Sequence, residues 1–253
     1  MKLIRYILLW LIFPLSLNAN ALTFATGKYL GEPLVIQSEG HYFAGAYVEL
    51  VGALAKELKL DIGFMEVPRF RLYKAISKNF IQGSCFASPS WADETLGIIW
   101  SKPYMKSRSI FTVLKNSKLK RDDIYTTRGL RVGVIESYRY FGKIGAMFKE
   151  GKATRVDSVD ILGSLRKLKE GEVDVILHHE FATVHNIRKT NLAGHVRTID
   201  EANEIYPVHC ALSKNSGISK SDLDGAVDRL KQSGQVEKIF SDYKVSSLVN
   251  KLN

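Results

Sequence analysis

The chain has 253 residues, 45% of them hydrophobic and 25% charged, with a formal net charge of +10. That length suits one large domain or two small lobes, and the balance excludes a disordered or membrane-embedded chain. The basic residues are scattered, with no lysine–arginine cluster interleaved with aromatics to mark a nucleic-acid face. Such charge keeps a protein soluble; it also suits anionic ligands or an acidic membrane surface.

Residues 1–21 stand apart. Lys2 and Arg5 form a basic start, Tyr6 to Leu17 is an apolar run, and Ala19-Asn20-Ala21 fits a small-residue cleavage site. The pattern predicts a secretory signal peptide cut after Ala21. The apolar run is short for a membrane span, and Pro14 interrupts it. Cleavage removes Lys2 and Arg5 and no acid, so the charge falls from +10 to +8. No cysteine follows the cleavage site to carry a lipid anchor. Cys85 and Cys210 would then enter an oxidising compartment. Neither belongs to a CxxC pair, and no metal site is predicted.

In chain order, Leu22 to Thr26 alternates like a strand, and Gly27-Lys28-Tyr29-Leu30-Gly31 is a glycine-bounded loop. After Gly45, Val51, Leu54, Ala55 and Leu58 recur at helical spacing. Asp61 to Val67 reads as a strand, Pro68 to Arg71 as a turn, and Leu72 to Asn79 as a helix. Ser84 to Ala87 is another strand, and this alternation implies βαβ units and a parallel sheet. A polar turn and the short apolar run Gly97 to Trp100 follow. Ser109 to Leu114 is a strand, and Lys115 to Asp123 a charged loop. A second α/β half comprises strands at Arg131 to Ile135, Ala153 to Val156 and Glu172 to Leu177, with helices at about Tyr138 to Lys149 and Ile161 to Leu168. His195 to Ile199 is a strand, Asp200 to Glu204 a return crossover, and Val208 to Leu212 a strand. In Ser219 to Tyr243, Leu223, Ala226, Val227 and Leu230 share a helical face, continued after Gly234 by Val236, Ile239, Phe240 and Tyr243.

Three stretches carry a resemblance. Trp100-Ser101-Lys102-Pro103-Tyr104-Met105 is similar to the F-S-D-P-Y-Y segment of periplasmic solute-binding proteins of the amino-acid type, family 3. Asp123-Ile124 with Arg128-Gly129-Leu130-Arg131-Val132-Gly133-Val134 resembles the opening of that family's second lobe. Ser221 to Lys244 resembles its C-terminal helices. The resemblance covers nearly the whole chain after residue 21. It implies an α/β, two-lobed periplasmic-binding-protein-like fold (type II), each lobe a mostly parallel sheet flanked by helices. Lobe one would be 22–105 plus 206–253, and lobe two 106–205. The lobes would close by hinge motion on a ligand at the C-terminal strand edges, in the periplasm. In that fold the strand holding Cys85 lies beside the strand holding Cys210, so either a disulfide or two buried thiols fits.

The family's S-x-T-x-x-R arginine, which clamps a ligand carboxylate, falls here on Glu94. Its aspartate, which holds the amino group, falls on His179, with Glu180 next. These two departures argue against an ordinary α-amino acid. Arg69 and Arg71 offer guanidinium groups in place of the lost arginine, or are solvated at a helix start. Lys28, Tyr29 and Trp91 reach the same edge, the rings serving either a ligand or lobe packing. Ser88 and Ser90 are hydrogen-bond donors or ordinary turn serines. Ser137-Tyr138 precede a predicted helix, an anion seat or a plain N-cap. His178 and His179, adjacent in a strand, should face opposite sides.

The function expected is capture of a small polar solute for a membrane permease. The expected chain is a monomer without cofactor and without nucleic acid. Two alternatives are a soluble sensing module for a membrane partner and a dehydratase-like enzyme drawing an acid–base group from Glu94, His179 or Glu180.

Overall fold

The computed structural model describes residues 21–38 and 41–243. The expected signal peptide lies, apart from Ala21, outside the described residues. The first set of elements is β1 (Leu22–Thr26), β2 (Ile36–Ser38), β3 (His41–Ala44), α1 (Ala46–Leu58), β4 (Ile62–Glu66), α2 (Leu72–Ser77), β5 (Gly83–Ala87) and β6 (Ile98–Trp100). β7 (Met105–Leu114) leads to α3 (Arg121–Thr126), β8 (Leu130–Ile135), α4 (Gly142–Lys149), β9 (Ala153–Ser158), α5 (Ile161–Lys169), β10 (Val175–His179) and α6 (Glu180–Lys189). β11 (Val196–Ser213) returns to the first set, and α7 (Lys220–Gln232) and α8 (Gln235–Asp242) finish it.

The strands run in the order β4-β1-β5-β11-β7-β10-β8-β9, with β6 on β11 and β2–β3 a separate hairpin. β1, β4 and β5 are parallel, as are β8, β9 and β10, while β7 and β11 run antiparallel to their neighbours. β7 and β11 are the only two strands shared by both halves, among the described residues, and they pair with each other from Val208↔Met105 through Glu204↔Ser109. The fold is therefore two α/β lobes joined through one antiparallel ladder.

Strand alternation builds a core on each sheet face. In the first lobe, α1, α7 and α8 bury Leu50, Leu54, Leu223, Val227 and Phe240 with Phe24 and Leu212, while α2 covers the other face with Leu72 and Ile76. In the second, Val175 and Leu177 point toward Ile144 and Met147, and Ile176 between them points toward Leu165 and Leu168. α1 begins only because residue 45 is glycine: its φ is +119°, and a Cβ there would meet the Leu34 carbonyl oxygen at 2.3 Å.

Four expectations need correction. The strands expected at His195 to Ile199 and Val208 to Leu212 are one strand, β11, and the return crossover at Asp200 to Glu204 lies within it, where a register shift between Ile199 and Glu204 absorbs the polar residues as a bulge. The helix expected from Tyr138 starts at Gly142, because a left-handed Gly142 (φ +59°) can open a helix but cannot lie inside one. The charged loop ends in α3, whose Lys120 backbone N–H donates to Asp123 at 2.8 Å. α6 was not foreseen.

Cys85 and Cys210, both buried, form a disulfide across 125 residues of chain, at the point where β5 and β11 shift register. The bond ties the returning strand to the centre of the first lobe. Among the described residues no helix is long and apolar enough to cross a membrane. Replacing both cysteines by alanine is expected to lower the unfolding free energy by about 2–5 kcal/mol, read from denaturant midpoints of the oxidised and doubly substituted proteins.

Candidate functional site

The C-terminal ends of β1, β4 and β5 present Tyr29, Arg69 and Trp91 to the same edge at which β8 and β10 present Tyr138, His178 and His179. Pro68, with φ −56°, opens the single 3₁₀ turn Arg69–Arg71, which swings the Arg69 side chain between the lobes. Arg155 fixes the loop after β8 by donating to the carbonyls of Tyr138 (3.0 Å) and Ile135 (3.2 Å).

The Arg69 guanidinium carbon lies 4.9 Å from the ring centre of Tyr73, 5.4 Å from Tyr138, 5.6 Å from Trp91 and 5.9 Å from Tyr29. Three of those rings belong to the first lobe and Tyr138 to the second. Each contact of this kind contributes on the order of 0.5–2 kcal/mol. Among the described residues Arg69 makes no ion pair, and its side chain donates one long hydrogen bond, 3.4 Å to the Tyr73 hydroxyl. A guanidinium with most of its fork unused is suited to a carboxylate.

Two recesses open on either side of the Trp91–Tyr138 pair. One, of about 200 Å³, is lined by Arg69, Tyr73, Ser137 and Arg139. The other, of about 30 Å³, is lined by Ser109, His178, His179, Glu204 and Tyr206. Trp91, Tyr138 and Arg139 border both. A wider hollow of about 840 Å³ beside α5 shares no residue with either.

The second recess is polar but uncharged on its histidine side. Burial pushes His178 down to about 4, and burial, the neighbouring His178 and Arg69 hold His179 well below the usual range. Both rings are neutral at neutral pH. His179 Nδ1 is hydrogen-bonded to the Tyr206 hydroxyl, and its ring packs on Phe86, Trp91 and Tyr138. Burial pushes the Tyr138 hydroxyl up to about 12; it donates to the Tyr29 carbonyl at 3.0 Å.

Other contacts also join the lobes. Glu32 receives Lys189 Nζ at 2.6 Å, and His185 Nε2 lies 3.3 Å away, while Asn186 donates to the Glu32 carbonyl at 3.1 Å. Burial pushes the Glu32 carboxyl up, but the hydrogen bonds from Lys189 and His185 outweigh it and hold the group below its usual value. Phe181, in the first turn of α6, packs on Phe86 and Phe240 of the first lobe.

Of the residues named from sequence, Tyr29, Arg69, Trp91, Tyr138 and His179 come together, with Ser137 at the rim. Lys28 is exposed on a separate gap between the lobes. Arg71 is exposed over Phe70 and lines neither recess, so Arg69 is the arginine that turns inward. Ser88 is buried and hydrogen-bonded to exposed Ser90 at 3.1 Å. Glu94 is exposed and lines neither recess. Glu180 is buried in an ion pair with Arg108. Ser137 caps no helix, since α4 starts five residues later. His178 and His179 do not face opposite sides: β10 ends at His179, which turns into α6, and the ring centres lie 5.3 Å apart. Sequence reasoning missed Tyr73, Glu204 and Tyr206. Tyr73 had a signal, lying four residues after Arg69.

No family model matches the chain. A curated protein of Neisseria gonorrhoeae, described as a probable histidine-binding protein, is 22% identical over 204 residues, 79% of this chain and 74% of that protein. An ancestral arginine-binding protein solved with arginine superposes with a TM-score of 0.74 at 18% identity, over 88% of this chain and 98% of that one. The substrate-binding protein of an amino acid ABC transporter gives 0.71 at 15% identity, over 88% and 98%. The chain thus has the two-lobed fold of the periplasmic binding proteins. The proteins it resembles at this level, 15–22% identical, are described as amino-acid-binding.

The buried histidines set a pH dependence. His178 takes up its proton near 6.5 when unfolded but only at about 4 when folded, so the unfolded chain binds protons more readily across that interval. Stability is complete above about pH 6.5 and is expected to fall by about 3 kcal/mol as pH drops toward 4. Thermal unfolding across this range, with His178→Gln flattening the decline, checks it.

Proposed function

We propose that this protein is an exported, periplasmic solute-binding protein that closes two lobes on a small polar solute and hands it to a membrane transporter. The lobes are taken as 22–105 with 206–253, and 106–205. The solute carries a carboxylate and is not a standard α-amino acid. The observation that carries this reading is Arg69: a guanidinium without an ion pair among the described residues, ringed by aromatic faces from both lobes, at the strand edge where such folds take ligands. Similarity to amino-acid-binding proteins supports solute capture and a transporter as partner. The absence of an arginine at Glu94 and of a carboxylate at His179 supports a solute outside the α-amino acid class. A dehydratase-like role draws no support from the geometry, because Glu94 faces away, Glu180 is paired with Arg108 and His179 is bonded to Tyr206.

A thermal-shift screen against amino acids, small carboxylates, amines, sugars and short peptides tests the reading. A solute at about a hundred times its dissociation constant adds about 2.7 kcal/mol of stability. The expected result is a carboxylate-bearing hit that Arg69→Met removes and Arg71→Ala leaves intact. Tight binding of a standard α-amino acid that survives Arg69→Met would sink it.

A further inference from the structure

Glu204 sits on β11 where the strand passes between the lobes, opposite Ser109 of β7. It is half-buried, and among the described residues it has neither a hydrogen bond nor an ion pair. Burial alone pushes its carboxyl up. A carboxylate left in this condition is costly unless something cationic joins it.

The walls around it suit a cation as well. Trp91 and Tyr206 stand with ring centres 4.7 Å apart, and Tyr138 closes the same recess. Aromatic faces attract ammonium groups, and the neutral His178 and His179 add no repulsion. Arg139 is the one cation on the rim; it is exposed, and its charge helps hold Asp93 below its usual value, after the hydrogen bonds from Thr95. The volume of about 30 Å³ holds one or two water-sized groups, which fits a primary ammonium head.

We propose that the Glu204 recess is an ammonium seat, and that the solute is an amino acid whose amine is separated from its carboxylate by several methylenes. This rests on the carboxylate being held by Arg69. The two charged groups occupy different recesses with Trp91 and Tyr138 standing between them. The α-ammonium and the carboxylate of an α-amino acid share one carbon and cannot occupy separate recesses. An ω-amino acid can, with its methylenes laid across the Trp91 ring. The carboxylate clamp and the ammonium seat have thus moved from Glu94 and His179 to Arg69 and Glu204.

The test is calorimetric titration of purified protein with glycine, β-alanine, γ-aminobutyrate, δ-aminovalerate and ε-aminocaproate, beside butyrate, valerate and caproate, which lack the amine. Affinity should rise from glycine to one of the longer members. Glu204→Gln, which keeps the side-chain shape, should weaken that member about ten-fold or more and leave its amine-free counterpart within about two-fold. Equal effects on both series, or tightest binding of glycine, would overturn the ammonium seat while leaving the carboxylate clamp intact. If no acid of either series binds, the clamp at Arg69 fails first and the seat falls with it.

Discussion

The antiparallel ladder between β7 and β11 is the constraint on which the rest of this molecule depends. Each strand begins in one lobe and ends in the other, so their pairing fixes where the two sheets meet and how their strand ends face each other. Backbone hydrogen bonds in such a ladder are obligatory once the strands are buried. The crossover is therefore a continuous piece of sheet and not a pair of slack linkers. Tyr206 and Glu204 enter the cleft because they lie on this strand, and the disulfide at Cys210 anchors its far end.

From that frame the chemistry of the cleft follows. Five elements end at one edge, and the side chains they deliver there are mostly aromatic. Rings pack the lobes against each other while offering polarisable faces to whatever lies between them. Within this apolar setting single charges stand out. Among the described residues Arg69 keeps most of its donors unused and Glu204 keeps its carboxyl unmatched, while the histidines beside Glu204 are held neutral by burial. On the proposed reading, Arg69 in one recess and Glu204 in the other, with Arg139 on the rim of both, orient a ligand as well as hold it.

Much of the fold was legible in the residues. β1 reads as a strand, and α1 and α7 show their apolar stripes. What was hidden has physical causes. α6 buries Glu180, Thr183 and Asn186 on its inner face, so no apolar period announces it. β11 runs through Asp200 to Glu204, a polar stretch with no strand signal of its own, because it bulges out of the pairing with β7. The choice between Arg69 and Arg71 depends on a single 3₁₀ turn, which composition does not specify. Two histidines in succession read as a strand's two faces, but the strand ends at the second, which turns into α6. The disulfide lay between these extremes: adjacency of the strands was implied by the resemblance, but bonding depended on a register shift that only the pairing shows.

The contacts that bring the lobes together at Glu32, at the Tyr29 carbonyl and at Phe181 involve protein atoms alone. On the proposed reading, closure is partly supplied by the chain itself, and a solute provides only the remainder of the conformational free energy. Affinity then has two independent controls: the groups that touch the solute, and a set of rim contacts that never do. Sequence drift at Glu32, His185 or Lys189 can retune how tightly such a protein holds its cargo, and how readily it lets go, with the chemical selectivity of the cleft unchanged.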